Sequence, residues 1–138
     1  MPERFVLHPQ LAADTFAVKE LSLCRLVAMN CRAVPWLILV PRIAGAREII
    51  DLAAAEQQQL IIEIALVSRL LQTEFKPDKI NVAALGNVVP QLHVHIIARF
   101  THDAAWPKPV WGNVNIEPYK PEDAEAFLNR LLNSKLLS

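Results

Sequence analysis

An α+β domain built around an antiparallel sheet is the fold this sequence predicts, and three observations carry it. Short, apolar, strand-like runs lie on both sides of one long stretch of helical periodicity. A second amphipathic helix closes the chain. Residues 91–96, between the two, alternate polar and apolar side chains without a break, the two-residue period of a strand with one face on a core. With 138 residues, 53% apolar and 20% charged, the composition is that of one globular domain, residues 1–138, long enough to bury a core.

Taken in order, His8-Pro9-Gln10-Leu11 reads as a short segment or turn, because Pro9 has no N–H to give to a ladder. Strands are predicted over 15–20 and 23–29. Residues 36–40 form a continuous apolar run between Pro35 and Pro41, the pattern of a central strand buried on both faces. Over 52–75, Leu60, Ile64, Val67, Leu71 and Phe75 recur at three- and four-residue spacing, with Gln57, Gln58, Glu63, Arg69 and Gln72 on the polar side. Asp51 is the expected N-cap, its carboxylate accepting from free first-turn amides, and Pro77 stops the helix. A strand over 80–85 leads to a Gly86-Asn87 turn and then to the histidine-bearing strand, which runs to about Phe100. Four residues that disfavour regular structure, Pro107, Pro109, Gly112 and Pro118, make 101–119 a loop that also holds Trp106 and Trp111. Pro121 suits a first helical position, Glu122 and Asp123 favour the positive end of the helix dipole, and Phe127, Leu128, Leu131 and Leu132 give that helix an apolar side.

Composition also excludes functions. Fourteen basic and fourteen acidic side chains cancel without a run of either sign, whereas a duplex-binding protein shows a basic stripe, so no nucleic acid partner is expected. Cys24 and Cys31 lack a CxxC or His-rich setting and are expected as buried thiols in a reducing compartment. The N-terminus carries Glu3 and Arg4 and no long apolar stretch, so it is not expected to be a signal peptide. The most apolar run, 34–40, is far short of the roughly 20 residues of a membrane helix. No membrane partner is expected, and a cytoplasmic location is.

The chemistry concentrates in Gln91-Leu92-His93-Val94-His95-Ile96-Ile97. As a strand, this segment puts Gln91, His93 and His95 on one face and Leu92, Val94 and Ile96 on the other. Two imidazoles side by side can offer one bound group both a nucleophile and a proton donor. An unperturbed imidazole ionises near 6.5 and is mostly neutral, hence nucleophilic, at pH 7. Two other readings stand beside this one: a pair of half-buried histidines satisfied by hydrogen bonds, and a metal site. The latter needs a third ligand, no Glu or Asp follows His95 closely, and His102 belongs to the next loop. No metal and no cofactor are expected.

The segment resembles the signature of the histidine triad (HIT) family, His-φ-His-φ-His-φ-φ with φ apolar. The resemblance extends from about residue 14 to 112. It takes in the run Trp36-Leu37-Ile38-Leu39-Val40-Pro41-Arg42, a long helix, a strand opening at Asn81 and the Gly86-Asn87 turn just before the motif. It is nearest to the bacterial HIT proteins grouped with diadenosine tetraphosphate hydrolases. It implies a five-stranded antiparallel sheet with one long helix and a C-terminal helix, a homodimer, and nucleotidyl hydrolase or transferase activity at a nucleotide's α-phosphate. The substrates implied are dinucleoside polyphosphates, nucleoside phosphoramidates or adenylated metabolites.

By the same resemblance His93 is the nucleophile, forming a nucleotidyl-histidine, and its second ring nitrogen must be held as a donor, as by a backbone carbonyl. His95 lies near the leaving-group atom and gives it a proton or a hydrogen bond. Asn87 contacts phosphate, with main-chain amides near Val88 and Val89 alongside; Asn81 lines the phosphate site and Asn30 sits near the ribose. Gln91 replaces the first histidine of the triad, and Trp36 stands where many members have a fourth. An amide can hold geometry but cannot titrate, so a nucleotide-binding module with weak or no turnover is the alternative. Without the resemblance, Asn87 is equally a turn residue, Asn81 can satisfy backbone at a strand start, Trp36 is core, and His8 is surface. Arg42 and Arg99 read as phosphate contacts or solvated strand ends. Trp106 and Trp111 fit either an interface or the site.

Overall fold

The computed structural model describes residues 4–138. Residues 1–3, part of the expected domain and of the N-terminus expected to carry no signal peptide, lie outside the described residues. Strands β1 (Thr15–Glu20), β2 (Cys24–Met29), β3 (Trp36–Pro41), β4 (Lys79–Ala83) and β5 (Val94–Arg99) form one antiparallel sheet in the order β1-β2-β3-β5-β4. The predicted fold class is therefore the observed one. Helices α1 (Pro9–Asp14), α2 (Ala54–Phe75) and α3 (Pro121–Leu132) complete it.

The central strand organises both faces. Every residue of β3 is buried, because Leu37 and Leu39 enter one apolar cluster and Trp36, Ile38 and Val40 enter another. The first cluster lies under α2 and α3, with Leu60, Val67, Leu70, Leu71, Phe127 and Leu131. The second joins Leu11 of α1, Val27, Ile97 and Val110, so the N-terminal segment and the 101–119 loop cover the opposite face. That opposite face is the one that carries the histidines.

Several local expectations are corrected. His8–Leu11 is not a turn. Pro9 opens α1, where its missing N–H costs nothing, and His8 Nδ1 accepts from Gln10 N at 3.0 Å as the cap. Asp51 does not cap α2. It closes a 3₁₀ turn over Ile49–Asp51, accepting from the amides of Arg47 and Glu48, and α2 starts after Ala53, whose N–H meets Glu56 Oε1 at 2.7 Å. Glu63 is not on a solvated face. It is 2% exposed, and its carboxylate accepts from the amides of Leu23 (2.9 Å) and Cys24 (2.8 Å) and from Gln59 Nε2 (2.7 Å). Those three donors offset the cost of burying the charge and tie α2 to the β1–β2 turn. Leu132, placed on the apolar side of α3, is exposed.

Cys24 and Cys31 are both free and buried. Burial, and then the neighbouring Glu63 carboxylate, pushes the Cys24 thiol up, so it acts as a small packing group. Among the described residues no helix is long and apolar enough to cross a membrane.

Candidate active site

The ladder of β5 begins only at Val94, later than the alternation predicts. Before it, Leu92 N turns to Ala46 O at 3.0 Å, and Gln91 faces the N-terminal segment. The two histidines still share a face, with ring centroids 4.9 Å apart and both residues buried.

Their hydrogen bonds define complementary rings. His93 Nδ1 lies 2.6 Å from the carbonyl oxygen of Gln91. A carbonyl can only accept, so Nδ1 carries a proton, and in the neutral ring Nε2 keeps a free lone pair. His95 Nδ1 lies 3.0 Å from Trp36 Nε1. An indole N–H can only donate, so this Nδ1 is the acceptor and the ring's proton sits on Nε2. One imidazole thus presents a lone pair and the other an N–H. Trp36 is core, as its place in the sequence suggests, but its one polar atom is committed to His95.

The ring of His95 is also held edgewise by Trp111, 4.9 Å away, which in turn meets Trp36 at 5.7 Å. Burial first, and then the neighbouring His93, pushes the His95 imidazole down to about 4 from its ordinary 6.5. Between those two values the unfolded chain binds the proton and the folded chain does not, so stability falls as pH drops from about 6.5 to about 4. The loss is on the order of 3 kcal/mol. Urea denaturation from pH 7 to pH 4.5 should show this slope in the wild type and a flatter one in His95→Gln; equal slopes would refute the assignment.

Both histidines line a cavity of about 290 Å³. Gln10, Leu11 and Asp14 of α1 form one wall, Met29 and Ile38 the floor, Trp111 another side, and the Leu85–Val89 turn the rim. Gly86, at φ 75°, takes the left-handed conformation that opens this turn and leaves Asn87 exposed at the rim. A second hollow, of about 350 Å³, adjoins His93 from the side of Arg47 and Ile50. It lacks His95 and Trp111, so the paired chemistry belongs to the first.

Of the six residues singled out in the sequence, His93, His95 and Asn87 meet in this cavity. Gln91 borders the second hollow, and its side-chain amide accepts from His8 N and donates to Val6 O, both at 2.9 Å. Asn81 Oδ1 accepts from Arg99 Nη1 at 2.9 Å, and Asn30 Oδ1 accepts from Tyr119 N at 2.9 Å; neither lines the cavity. His8 is half-buried, one neighbour of that Gln91 amide, not a free surface residue. Sequence reasoning misses Gln10, Asp14 and Met29, and it does not commit Trp111 to the site. A Pro-led short helix is the available signal for the first two.

The expectations for the two arginines are corrected. Arg42 binds Glu20 and the carbonyls of Leu21, Ser22 and Cys24, which spans the β1–β2 turn. Arg99 is 2% exposed and holds Asp103 through Nε (2.8 Å) and Nη2 (3.0 Å), with Nη2 also donating to Lys108 O. Trp106 lies over its guanidinium. The Asp103 carboxylate further accepts from the amides of Phe100, Ala105 and Trp106. Burial opposes its ionisation, but Arg99 and the amides of Phe100 and Trp106 outweigh that and hold it down at about 2. This knot anchors the loop that carries Trp111.

A family model described as the HIT domain matches residues 10–102. The structure is similar to a histidine triad protein from Marinobacter aquaeolei VT8, at 46% identity and TM-score 0.93 over 98% of this chain and 97% of that one. It is also similar to a histidine triad protein from Bradyrhizobium japonicum, at 47% identity and TM-score 0.91 over 94% and 96%. Among curated proteins, a bis(5'-adenosyl)-triphosphatase of Saccharomyces cerevisiae is 34% identical over 68 residues; the match spans 46% of this chain and only 33% of the yeast protein. The chain belongs to the HIT domain family.

Proposed function

We propose that this protein is a nucleotidyl hydrolase or transferase that cleaves at the α-phosphate of a dinucleoside polyphosphate, a nucleoside phosphoramidate or an adenylated metabolite. The observation that carries the reading is the complementary pair: a lone pair on His93 Nε2 beside an N–H on His95, lining one cavity. His93 attacks phosphorus and forms a nucleotidyl-histidine, dividing one hard displacement into two easier ones. The Gln91 carbonyl stabilises the positive ring this creates. His95 hydrogen-bonds the departing atom, and Asn87 with the nearby main-chain amides meets the non-bridging oxygens, the kind of preorganised donation that is often the largest catalytic contribution. The partial likeness to a bis(5'-adenosyl)-triphosphatase supports the same reaction class. The test is a substrate panel assayed for nucleoside monophosphate. No release from any member, with nucleotide-dependent thermal stabilisation intact, would instead establish a binding module.

The Gln91 amide is tied to backbone at Val6 and His8, which supports an orienting role with no titrating proton. Gln91→His should therefore keep kcat within about tenfold, roughly 1.4 kcal/mol in barrier, with any penalty falling on KM. A gain of about a hundredfold with a new limb near pH 6–7 would mark the native chain as a weakened enzyme.

A homodimer is part of the proposal. Val82 of the edge strand β4, Leu85, Ile50 and the α2 pair Ile61 and Ile62 are each exposed, large apolar side chains of the type an interface covers. Sedimentation at micromolar concentration should give a dimer, and a pure monomer would overturn this.

A further inference from the structure

The hydrogen bond from Trp36 bears on which leaving group the site can expel. Were His95 to become an imidazolium, both of its nitrogens would carry N–H, and its Nδ1 hydrogen would point at the indole N–H only 3.0 Å away. The indole cannot reverse its polarity. Nor can it swing aside, because Trp36 is 1% exposed, set in the central strand and braced by the ring of Trp111. The remaining surroundings of His95 offer a second proton no help. Its ladder neighbours are Ile38 on β3 and Ala83 on β4, and the adjacent ring is His93. The carboxylate that shares the cavity, Asp14 on α1, accepts from Gln10 Nε2 at 2.8 Å and makes no hydrogen bond to His95.

We infer that the site accepts nucleoside 5′-phosphoryl compounds whose leaving group departs as an oxyanion, namely a nucleoside di- or triphosphate, and discriminates against amine leaving groups, because Trp36 keeps His95 a neutral hydrogen-bond donor. The inference rests on the nucleotidyl-transfer reading above and narrows its substrate class. In the first step the His93 Nε2 lone pair forms the N–P bond, the P–O bond breaks, and its electron pair stays on the departing phosphate oxygen. That anion is stable near pH 7 and needs no proton; His95 Nε2–H bonds to it and keeps its hydrogen. In the second step water oxygen bonds to phosphorus, the N–P pair returns to Nε2, one proton goes to solvent and the nucleoside monophosphate leaves. A departing amine differs: its nitrogen must gain a proton as the P–N bond breaks, and a neutral His95 giving one would be left as an imidazolate. Trp36 is a positioning residue in this scheme.

The experiment compares AMP release from diadenosine triphosphate, from an AMP N-alkyl phosphoramidate, and from AMP aryl esters of graded leaving-group pKa. The wild type should process the polyphosphate with a kcat/KM at least about a hundredfold above the phosphoramidate, the range over which a missing general acid is felt. Its aryl-ester rates should fall steadily as the phenol becomes more basic. Trp36→Gln supplies a group that can accept from a protonated Nδ1, and it should narrow the gap by about tenfold or more. Should that variant fail to fold, ¹⁵N NMR of the wild type decides: His95, assigned by the loss of its signal in His95→Gln, should remain the neutral Nε2–H form from pH 8 to pH 5. Comparable turnover of the phosphoramidate, or an imidazolium signal at pH 6, overturns the inference and leaves the nucleotidyl-transfer reading standing. No AMP from any substrate defeats that reading and the inference with it.

Discussion

His93→Ala should abolish nucleotide turnover while the sheet stays folded. The substitution removes the one lone pair positioned for attack, and loss of a nucleophile costs about a thousandfold or more in kcat. It also deletes the contact between His93 Nδ1 and the Gln91 carbonyl, worth only about 1 kcal/mol. The residue is buried at the entrance to β5, before its ladder begins, so no strand pairing depends on the ring. Nucleotide should still fit the cavity, since α1, Met29, Ile38 and Trp111 are untouched. Single-turnover assays, denaturation and nucleotide-dependent melting should report lost chemistry, small destabilisation and retained binding. Wild-type turnover in the variant would sink the mechanism.

Asp103→Ala should be the most damaging stability change. It leaves the Arg99 guanidinium, 2% exposed, without its counter-ion, and breaking a buried pair from one side costs about 3–5 kcal/mol. A domain has only about 5–15 kcal/mol in total. Three loop amides also lose their acceptor, so the loop carrying Trp111 should loosen and take activity with it. Asp103→Asn, which keeps an acceptor, should lose less. In the wild type the Asp103 contribution is present above its unfolded value of about 3.9 and is lost as pH falls through about 2, below the window assigned to His95. Urea denaturation measures all of this, and a change under about 1 kcal/mol for Asp103→Ala would show that the knot is not what secures the loop.

What is legible in the sequence is what repeats locally. Thr15–Glu20 is the predicted strand and α3 starts at Pro121, where proline placement puts it, and a period of two is enough by itself to pair His93 with His95 on one face. What is not legible depends on distant partners. Glu63 looks solvent-facing in the helical pattern because the amides it serves are about forty residues earlier in the chain. The amides of Asn81 and Asn30 are taken by Arg99 and Tyr119, 18 and 89 residues away. Pro9 advertises what it forbids in a strand more plainly than what it permits at the start of a helix. Trp36 shares a face with His95 only through the β3–β5 register, which pairs segments far apart in the chain.

The bond that Gln91 donates to Val6 O and the one it accepts from His8 N fasten together two separate parts, the segment before β1 and the histidine-bearing segment. Helix α1 shapes one side of the cavity yet contributes no strand to the five-stranded ladder. Under the proposed function, such a chain can retune what its cavity admits by exchanging that helix, with the histidine pair left as it is. The latch is the part that cannot drift: a glutamine at 91 reads backbone alone, one carbonyl and one amide, and so accepts many different side chains across from it.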